Sequence, residues 1–407
     1  MTIDQAPTNT LREPASRMAD IAPFYVMDIL GRAKELEARG RRIIHMEIGE
    51  PDFPTPKPII EAGMAALSAG HTRYTATLGL PRLKEVIADF YLRRYGVDIS
   101  PHRIAITPGT SGALQLALAT LINPGDEVMV ADPGYPCNRN MIRLLDGKTI
   151  DIPVGPDTAY QLTPDLIARY ATPSTSVVTL TTPSNPTGTL VPLRDMAGIL
   201  RQASRANIGV VVDEIYLNLV YEATTTGIGD TAEVDVGTAS KLSDEIFVIN
   251  GFSKYFGMTG WRLGWIVVPE PFLHAIEKLA QNLYLSAPTM AQYAALAAFR
   301  PETLAILDAR RKELQRRRDF LLPALREIGF DIPITPHGAF YLYADCSLFT
   351  KNSLLFANEL LAHAGVAITP GIDFGKNIPQ QYVRFAYTTS MENLHEGVER
   401  LRRHLLT

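Results

Sequence analysis

The stretch RIAITPGTSGALQLALATLINPGDEVMV, residues 103–130, decides the fold class. Its short apolar run at 104–107 predicts a strand, and the apolar spacing of residues 111–121 predicts a helix. The Pro-Gly-Asp sequence at 124–126 predicts a turn, after which a second strand is expected to begin near Glu127. A strand, a helix and a strand in this order are typical of a βαβ unit, whose two strands run parallel.

Further apolar runs indicate that the sheet continues beyond this unit. They span residues 176–180, 208–212, 246–250 and 263–268. Runs that are apolar on both faces are typical of buried strands in a parallel sheet, because helices cover both of its sides. We therefore expect an α/β fold in which a mostly parallel central sheet is flanked by helices.

The two ends of the chain indicate a second, smaller unit. Residues 309–320, ARRKELQRRRDF, predict a long helix with a solvated charged face, and the period-two segments at 338–346 and 382–390 predict strands of an α+β domain. A polar arm up to about Ala22 precedes a stretch with helical spacing at 27–42. We expect three parts: an N-terminal arm and helix (1–45) that join the small domain, a large domain (46–300) and a small C-terminal domain (301–407).

The composition excludes several classes of protein. Among 407 residues, 39 basic and 43 acidic side chains give a formal charge of -4, which disfavours binding to nucleic acid or to an anionic membrane surface. Two distant cysteines, Cys137 and Cys346, and eight histidines without metal-ligand spacing argue against a disulfide framework and a metal site. The sequence lacks both an apolar run of roughly 18 residues and a signal-peptide core. We expect a cytoplasmic protein.

Polar groups follow the carboxyl ends of the predicted strands, the edge at which open parallel sheets bind ligands. The first strand is followed by PGTSG, residues 108–112, where a helix N-terminus favours a phosphate, although capping alone also explains these residues. Asn185 in SNPTGT and Asp213 and Tyr216 in DEIY follow the next two strands. A plain loop and a helix N-cap are the ordinary alternatives for these two segments.

The segment GFSKYFGMTGWRLGW, residues 251–265, carries the strongest chemical signal. Four aromatic residues flank Lys254 in this segment: Phe252, Tyr255, Phe256 and Trp261. An amine held among aromatic rings loses hydration, which lowers its pKa and favours the neutral nucleophile, whereas a solvated surface lysine is the alternative. A lysine, an acid, polar side chains and an anion site together suit pyridoxal phosphate, which needs one group of each kind.

The order and spacing of eight segments resemble the class I and II aminotransferases, which have the aspartate aminotransferase fold, fold type I of the pyridoxal-phosphate-dependent transferases. The segments are IGEPDFPTP (48–56), YTATLGLPRLKEVIA (74–88), PGTSGAL (108–114), NPGDEVMVADPGYP (123–136), SNPTGT (184–189), DEIY (213–216), SKYFGMTGWRLGW (253–265) and YVRFAY (382–387). The resemblance implies that fold, that cofactor and an enzyme that acts on amino acids and 2-oxo acids.

The resemblance also implies how the cofactor ring is held. Lys254 matches the lysine that binds the cofactor as a Schiff base and later moves the α-proton, and Asp213 matches the acid that pairs with the ring nitrogen. Tyr216 and Asn185 match the partners of the ring oxygen, and Tyr135 matches the aromatic residue that stacks on the ring. Lys254, Asp213 and Tyr216 are therefore the expected catalytic residues.

The phosphate of the cofactor has its own set of matching residues. Thr110, Ser111 and Arg262 match the family's phosphate-binding positions. Many members place a further phosphate-binding serine where this chain has Gly251, so Ser253 is the expected substitute. Tyr74 matches a residue that reaches the phosphate of a neighbouring subunit, which implies a homodimer with shared sites.

Three positions concern the substrate. Arg384 matches the arginine that binds the α-carboxylate, a role suited to a planar guanidinium, together with Asn185, and Gly49 matches the backbone position that closes over the substrate. Members that act on aspartate commonly carry a lysine where this chain has Ser111, so a neutral donor is favoured over aspartate. Arg73, Arg139 and Arg143 are the remaining candidates for a positive charge that would bind a second carboxylate. The N-terminal arm around residues 21–25 and the neighbouring subunit are expected to contribute to the shape of the pocket.

The resemblance implies a ping-pong reaction that moves an amino group from an L-amino acid to a 2-oxo acid. Two rivals share the fold. A carbon–sulfur β-lyase would use the same cofactor and release pyruvate and ammonia from a sulfur amino acid. A non-catalytic amino acid sensor would not need Lys254, Asp213 and Arg384 together, and their presence disfavours it.

Overall fold

The computed structural model describes residues 12–222 and 235–406. Its α-helices are α1 (Tyr25–Ala38), α2 (Lys57–Ser68), α3 (Pro81–Tyr95), α4 (Gly109–Leu121), α5 (Pro136–Leu144), α6 (Pro164–Tyr170), α7 (Leu193–Arg205), α8 (Leu273–Leu283), α9 (Thr289–Ala295), α10 (Pro301–Ile328), α11 (Ser353–Glu359) and α12 (Met391–Leu405). Its strands are β1 (Ile44–His45), β2 (Ile104–Thr107), β3 (Glu127–Asp132), β4 (Lys148–Pro153), β5 (Thr175–Thr181), β6 (Gly209–Asp213), β7 (Phe247–Gly251), β8 (Gly264–Val267), β9 (Tyr341–Asp345), β10 (Val366–Ala367), β11 (Thr369–Pro370) and β12 (Tyr382–Ala386).

A seven-stranded sheet with the order β2-β8-β7-β6-β5-β3-β4 forms the centre of the molecule. Strands β4, β3, β5, β6 and β7 pair in parallel, which confirms the expected α/β fold with a mostly parallel sheet. The segment predicted as a strand at 263–268 is β8, and it runs antiparallel to both of its neighbours. An apolar run reads the same in either direction, so the sequence could not reveal this reversal.

The direction of β8 matters for the site. The parallel strands end at the edge where β8 begins, so the residue two positions before β8, Arg262, lies at the same edge as the residues that follow β6 and β7. Helices cover both faces of the sheet. Consecutive residues of β7, Val248 and Ile249, point to opposite sides and are both fully buried.

Two helix boundaries differ from the sequence prediction. Helix α4 begins at Gly109, two residues before the predicted start. Helix α1 covers 25–38 rather than 27–42, because Gly40 adopts φ +83° and the chain then enters β1. A glycine in the left-handed region just beyond the last turn is a common helix stop.

The N-terminal segment joins the C-terminal part of the chain. Strand β1 pairs in parallel with β10, and a separate antiparallel sheet has the order β11-β12-β9. Strands β9 and β12 lie within the segments predicted from their period-two patterns, and β12 carries Arg384.

The charged run at 309–320 forms part of α10, as expected, but its face is not uniformly solvated. Arg317 and Arg318 are only 3% and 2% exposed. The guanidinium of Arg317 donates to Asp52, with an Nη1–Oδ1 distance of 2.7 Å, and Arg318 donates to the Pro336 carbonyl oxygen at 2.8 Å. Because both arginines find acceptors in distant segments, they are buried, which a charge pattern alone cannot show.

Among the described residues, no helix is both long enough and apolar enough to span a membrane. The same part of the chain holds no group of three or more histidine, cysteine, aspartate or glutamate side chains arranged to bind a metal ion.

Candidate active site

The strand ends enclose a cavity of about 270 Å³. Eleven residues expected from the sequence line it: Gly49, Thr110, Ser111, Tyr135, Asn185, Asp213, Tyr216, Ser253, Lys254, Arg262 and Arg384. The remaining expected residue, Tyr74, is 78% exposed and lies outside this cavity. The residues that follow strands of the central sheet meet here because parallel strands bring their carboxyl ends to one edge. Gly49 and Arg384, more than 300 positions apart, reach the same cavity from outside this sheet.

The amine of Lys254 lies inside the cavity and donates to the carbonyl oxygen of Gly49, with an Nζ–O distance of 2.7 Å. Burial lowers the pKa of the Lys254 amine to about 8; the carboxylate of Glu50 opposes this shift, and the guanidinium of Arg384 adds to it. Removing water from an ammonium group disfavours its charged form. Lys254 is therefore a basic amine that is readily neutral near physiological pH.

The aromatic neighbours of Lys254 in the sequence do not surround its amine. Phe252 and Phe256 are fully buried in the core, and the ring of Phe252 packs 5.0 Å from that of Trp265, centroid to centroid. The amine lies over the ring of Phe340 instead, with Nζ 6.0 Å from the ring centroid. The prediction of a desolvated lysine holds, but the reason given for it was wrong.

Asp213 ends β6 and presents its carboxylate to the cavity. Burial raises the pKa of Asp213 to about 6, whereas the backbone N–H of Ile215 and the amine of Lys254 favour the ionised form. The Ile215 N–H donates to Oδ1 at 3.0 Å. A buried carboxylate has lost much of its hydration, so a cationic partner stabilises its ionised form.

An anion site lies where α4 begins. No side chain caps the N-terminus of this helix, so its first N–H groups are available to a ligand. Gly109 adopts φ +72°, and a Cβ built there would lie 2.6 Å from Nη2 of Arg262. The absence of a side chain at Gly109 thus lets the guanidinium approach the helix N-terminus, where both groups favour negative charge.

The structure explains why position 251 carries a glycine. A Cβ on Gly251 would lie 2.8 Å from the Thr110 methyl group and 3.3 Å from the Cα of Gly264. A serine therefore does not fit at this position without displacing its neighbours. Ser253 lines the cavity and is 7% exposed, as a substitute for that serine would be.

Arg384 is 2% exposed and is held from several sides. Its Nη1 donates to Oδ1 of Asn185 at 2.8 Å, and its Nη2 donates to Thr369 Oγ1 at 3.1 Å and to the carbonyl oxygen of Glu47. Its Nε has no hydrogen-bond partner within the described part of the chain. A buried guanidinium with a free donor and an adjacent amide is suited to binding a carboxylate.

The sequence analysis missed Tyr341. Its hydroxyl lies 2.9 Å from that of Tyr216, and its ring centroid lies 4.3 Å from the guanidinium carbon of Arg384. Gly49 packs against it so closely that a Cβ there would lie 2.1 Å from the Tyr341 oxygen. The period-two pattern places Tyr341 on a buried face, but only the fold shows that this face meets the cavity.

The cavity also has an apolar lining, to which the arm was expected to contribute. It consists of Phe24, just before α1, Val26 and Met27 in its first turn, Ile48 and Ile215. The ring of Phe24 packs edge-on against Tyr135, with centroids 6.4 Å apart. This contact joins the N-terminal arm to a residue more than 100 positions further along the chain.

None of the three arginines considered as a compensating charge lines the cavity. Arg139 donates to Asp151, with an Nε–Oδ1 distance of 2.6 Å, and Arg143 pairs with Asp20 at 2.7 Å, between Nη2 and Oδ2. Arg73 belongs to the exposed segment before Tyr74. The cationic groups of the cavity lining are therefore Lys254, Arg262 and Arg384.

The cavity thus brings together a buried lysine, a buried acid and a buried arginine from separate segments of the chain. The sequence profile of the family described as aminotransferase class I and II matches residues 41–401. The chain belongs to this family and is an aminotransferase.

Individual relatives agree with this assignment. A valine–pyruvate aminotransferase of Mycobacterium tuberculosis is 37% identical and covers 94% of this chain and 96% of its own. A crystal structure of an aminotransferase from the same organism superposes with a TM-score of 0.91 at 37% identity, covering 97% and 100% of the two chains. Aspartate aminotransferase from Thermus thermophilus, solved with maleate, has a TM-score of 0.88 at 31% identity, with the same coverage.

Proposed function

We propose that this aminotransferase uses pyridoxal phosphate to move the amino group of a neutral L-amino acid to a 2-oxo acid in a ping-pong reaction. The observation that carries the proposal is that Lys254, Asp213 and Arg384 line a single cavity. These residues supply a base, an acid that favours a cationic partner, and a carboxylate-binding group. Each is needed for amino-group transfer.

The residues present fit the cofactor. Its phosphate suits the uncapped N-terminus of α4 and Arg262, which the missing side chain of Gly109 lets approach each other. Its pyridinium nitrogen suits Asp213, its ring oxygen suits Tyr216 and Asn185, and Tyr135 lines the cavity where a ring would stack. When bound, the cofactor supplies an electron sink for the bond that is broken at the substrate Cα.

The chain's own residues hold the substrate and move its proton. Arg384 and Asn185, joined at 2.8 Å, bind the α-carboxylate and so fix the orientation of the Cα–H bond. The buried Lys254 amine, with a pKa of about 8, takes the α-proton and returns it. The ionised Asp213 stabilises positive charge beside the site throughout the reaction.

A neutral donor is proposed because the described residues of this chain that line the cavity include no further cation for a second carboxylate. Lys254, Arg262 and Arg384 already have proposed roles as the base, the phosphate partner and the α-carboxylate partner, and Ser111 is uncharged. Glu50 also lines the cavity and repels an added negative charge. The name of the Mycobacterium tuberculosis relative, a valine–pyruvate aminotransferase, supports this choice.

A homodimer with shared sites belongs to the same proposal. Helix α2 exposes the apolar side chains of Ile60, Met64 and Leu67, which are 38%, 63% and 53% exposed, and Tyr74 follows at 78%. Exposed apolar faces of this kind are common at subunit interfaces. We also propose the division into an arm with its helix (1–45), a large domain (46–300) and a small domain (301–407), which the pairing of β1 with β10 supports.

The proposal is tested by product stoichiometry. Purified protein loaded with pyridoxal phosphate is mixed with one amino acid and no 2-oxo acid. We expect one equivalent of the matching 2-oxo acid per site and continued turnover only after a second 2-oxo acid is added. Continuous release of pyruvate and ammonia from a cysteine conjugate, without any acceptor, would instead establish the β-lyase reaction.

A further inference from the structure

One part of the cavity lining, which we call the wall, has no proposed role in binding the cofactor. It consists of Phe24, Val26 and Met27 from the beginning of α1, and of Ile48. Two polar residues of the same lining, Thr259 and Glu50, are joined to each other, because the threonine hydroxyl donates to the carboxylate. The apolar residues are thus the part of the lining that a substrate side chain can contact without competing for a polar partner.

A single aspartate holds the wall in place. The backbone N–H groups of Tyr25 and Val26 each donate to one carboxylate oxygen of Asp373, both at 2.8 Å. Asp373 is 5% exposed, and a carboxylate at a helix N-terminus is stabilised by the free N–H groups there. The two bonds join the first turn of α1 to a segment more than 340 residues away.

The same segment also supports the carboxylate-binding arginine. Phe374 follows Asp373 directly, and its ring centroid lies 4.9 Å from the guanidinium carbon of Arg384. On the opposite side, the ring of Phe24 packs against Tyr135. The wall therefore extends from the cofactor side of the cavity to the carboxylate side, and Asp373 fixes its position relative to both.

Resting on the proposed aminotransferase reaction, we infer that Asp373 is a positioning residue that holds the first turn of α1 over the active site, and that the resulting wall selects donors with an apolar side chain. An apolar side chain gains from burial against Phe24 and Met27. An amide or a carboxylate of the same size loses its hydration there and gains no partner.

The first experiment measures binding to the cofactor-loaded enzyme without turnover. Isothermal titration calorimetry compares 4-methylpentanoate, which is leucine without its amine, with 3-carbamoylpropanoate, which is asparagine without its amine. The two acids have the same number of heavy atoms. We expect the apolar acid to bind at least about tenfold more tightly. Equal or tighter binding of the amide would overturn the inference.

The second experiment tests the wall and its support. In Phe24→Ala and Asp373→Asn, we expect the ratio of kcat/KM for leucine over alanine to fall about tenfold, mainly through the KM for leucine, because alanine hardly reaches the wall. Met18→Ala is the control, since Met18 lies on the same arm, is 52% exposed and does not line the cavity. A purely structural role would lower kcat for both donors alike, and an unchanged ratio in Phe24→Ala would overturn the inference even if Asp373→Asn did not fold.

The outcomes separate this inference from the proposed function. Amino-group release from many donors without an apolar preference would leave the aminotransferase proposal standing and overturn the inference. A tenfold preference for the apolar acid, in an enzyme that releases no 2-oxo acid from any donor, would support the wall and overturn the proposed reaction.

Discussion

The hydroxyl oxygens of Tyr216 and Tyr341 lie 2.9 Å apart, which joins a residue after β6 to the first residue of β9. Tyr341 also stacks on Arg384, so one side chain contacts both the proposed cofactor partner and the proposed carboxylate-binding group. In the proposed reaction, the groups that hold the cofactor ring oxygen and the substrate carboxylate therefore support each other.

Replacing Tyr341 with Phe removes this hydrogen bond and keeps the ring over Arg384. Because a hydrogen bond of this kind contributes about 1 kcal/mol, we expect the Kd for pyridoxal phosphate to rise about fivefold, with little change in the KM of the donor. Equilibrium dialysis of the cofactor and steady-state kinetics measure the two quantities. Tyr343→Phe, two residues further along β9 and outside the cavity lining, is the control and should change neither.

The proposed roles of Arg384 and Arg262 predict that substitutions at these two positions change different constants. Arg384→Lys replaces a planar fork by a point charge, so the donor KM should rise about 100-fold while the Kd for the cofactor changes little. Arg262→Lys should do the opposite, weakening the cofactor and leaving the donor KM nearly unchanged at saturating cofactor. If both variants affected the same constant, the assignment of these two residues would be incorrect.

Gly109→Ala tests the anion site at the start of α4. The added Cβ would lie 2.6 Å from Nη2 of Arg262, so we expect the Kd for pyridoxal phosphate to rise at least tenfold. Gly125→Ala is a matched control, because Gly125 also has a left-handed φ, +90°, but no atom lies within 4 Å of its built Cβ. Both variants should lose about 1–2 kcal/mol of stability from backbone strain, and only the first should lose cofactor affinity.

Ser111→Lys tests the preference for a neutral donor. A lysine at this position adds a cation to the cavity lining, so the ratio of kcat/KM for aspartate over alanine should rise at least tenfold. Ser111→Met adds a chain of similar length without the charge and should not raise this ratio. An unchanged ratio in Ser111→Lys would show that the serine does not set the preference.

The surroundings of His45 predict that this residue makes a pH-dependent contribution to the free energy of unfolding. Its ring contacts Glu47 and Glu37, with nitrogen–oxygen distances of 2.7 Å and 3.0 Å, and the hydrogen bond to Glu47 is the main cause that raises the pKa of His45 to about 9. A raised histidine pKa stabilises the fold fully below pH about 6.5, and this stabilisation is lost as the pH rises to about 9.

The measurement is urea unfolding at pH 6 and pH 9.5. We expect the free energy of unfolding of the wild-type protein to fall by about 1–2 kcal/mol more than that of His45→Gln over this interval, since partial exposure of the ring weakens the ion pairs. Other groups that titrate in this range are common to both proteins. A parallel decline in the two would show that His45 makes no such contribution.

The residues that follow the central strands could be found from the sequence, because a parallel sheet brings its carboxyl ends together whatever the details of packing. Asp213 and Lys254 were found in this way, and the family resemblance added Arg384. The direction of β8 could not be found, since an apolar run has no direction. Tyr341, which reaches the cavity from a remote segment, was missed because no local pattern relates it to the site.

The sequence also could not show which charged side chains are buried. The run that contains Arg317 and Arg318 is typical of a solvated helix, yet both side chains are buried with acceptors from remote segments. Lys254 shows the converse case. Its flanking aromatic residues pack into the core, and its low pKa comes from the cavity itself.

The most direct test of the account is the absorption spectrum of the cofactor-loaded protein as single amino acids are added without a 2-oxo acid. We expect a neutral donor to remove the absorbance of the lysine-bound cofactor near roughly 360–430 nm and to produce absorbance near about 330 nm, and we expect Lys254→Ala never to show the first band. A wild-type spectrum without that band after addition of pyridoxal phosphate, or one that no amino acid changes, would contradict it.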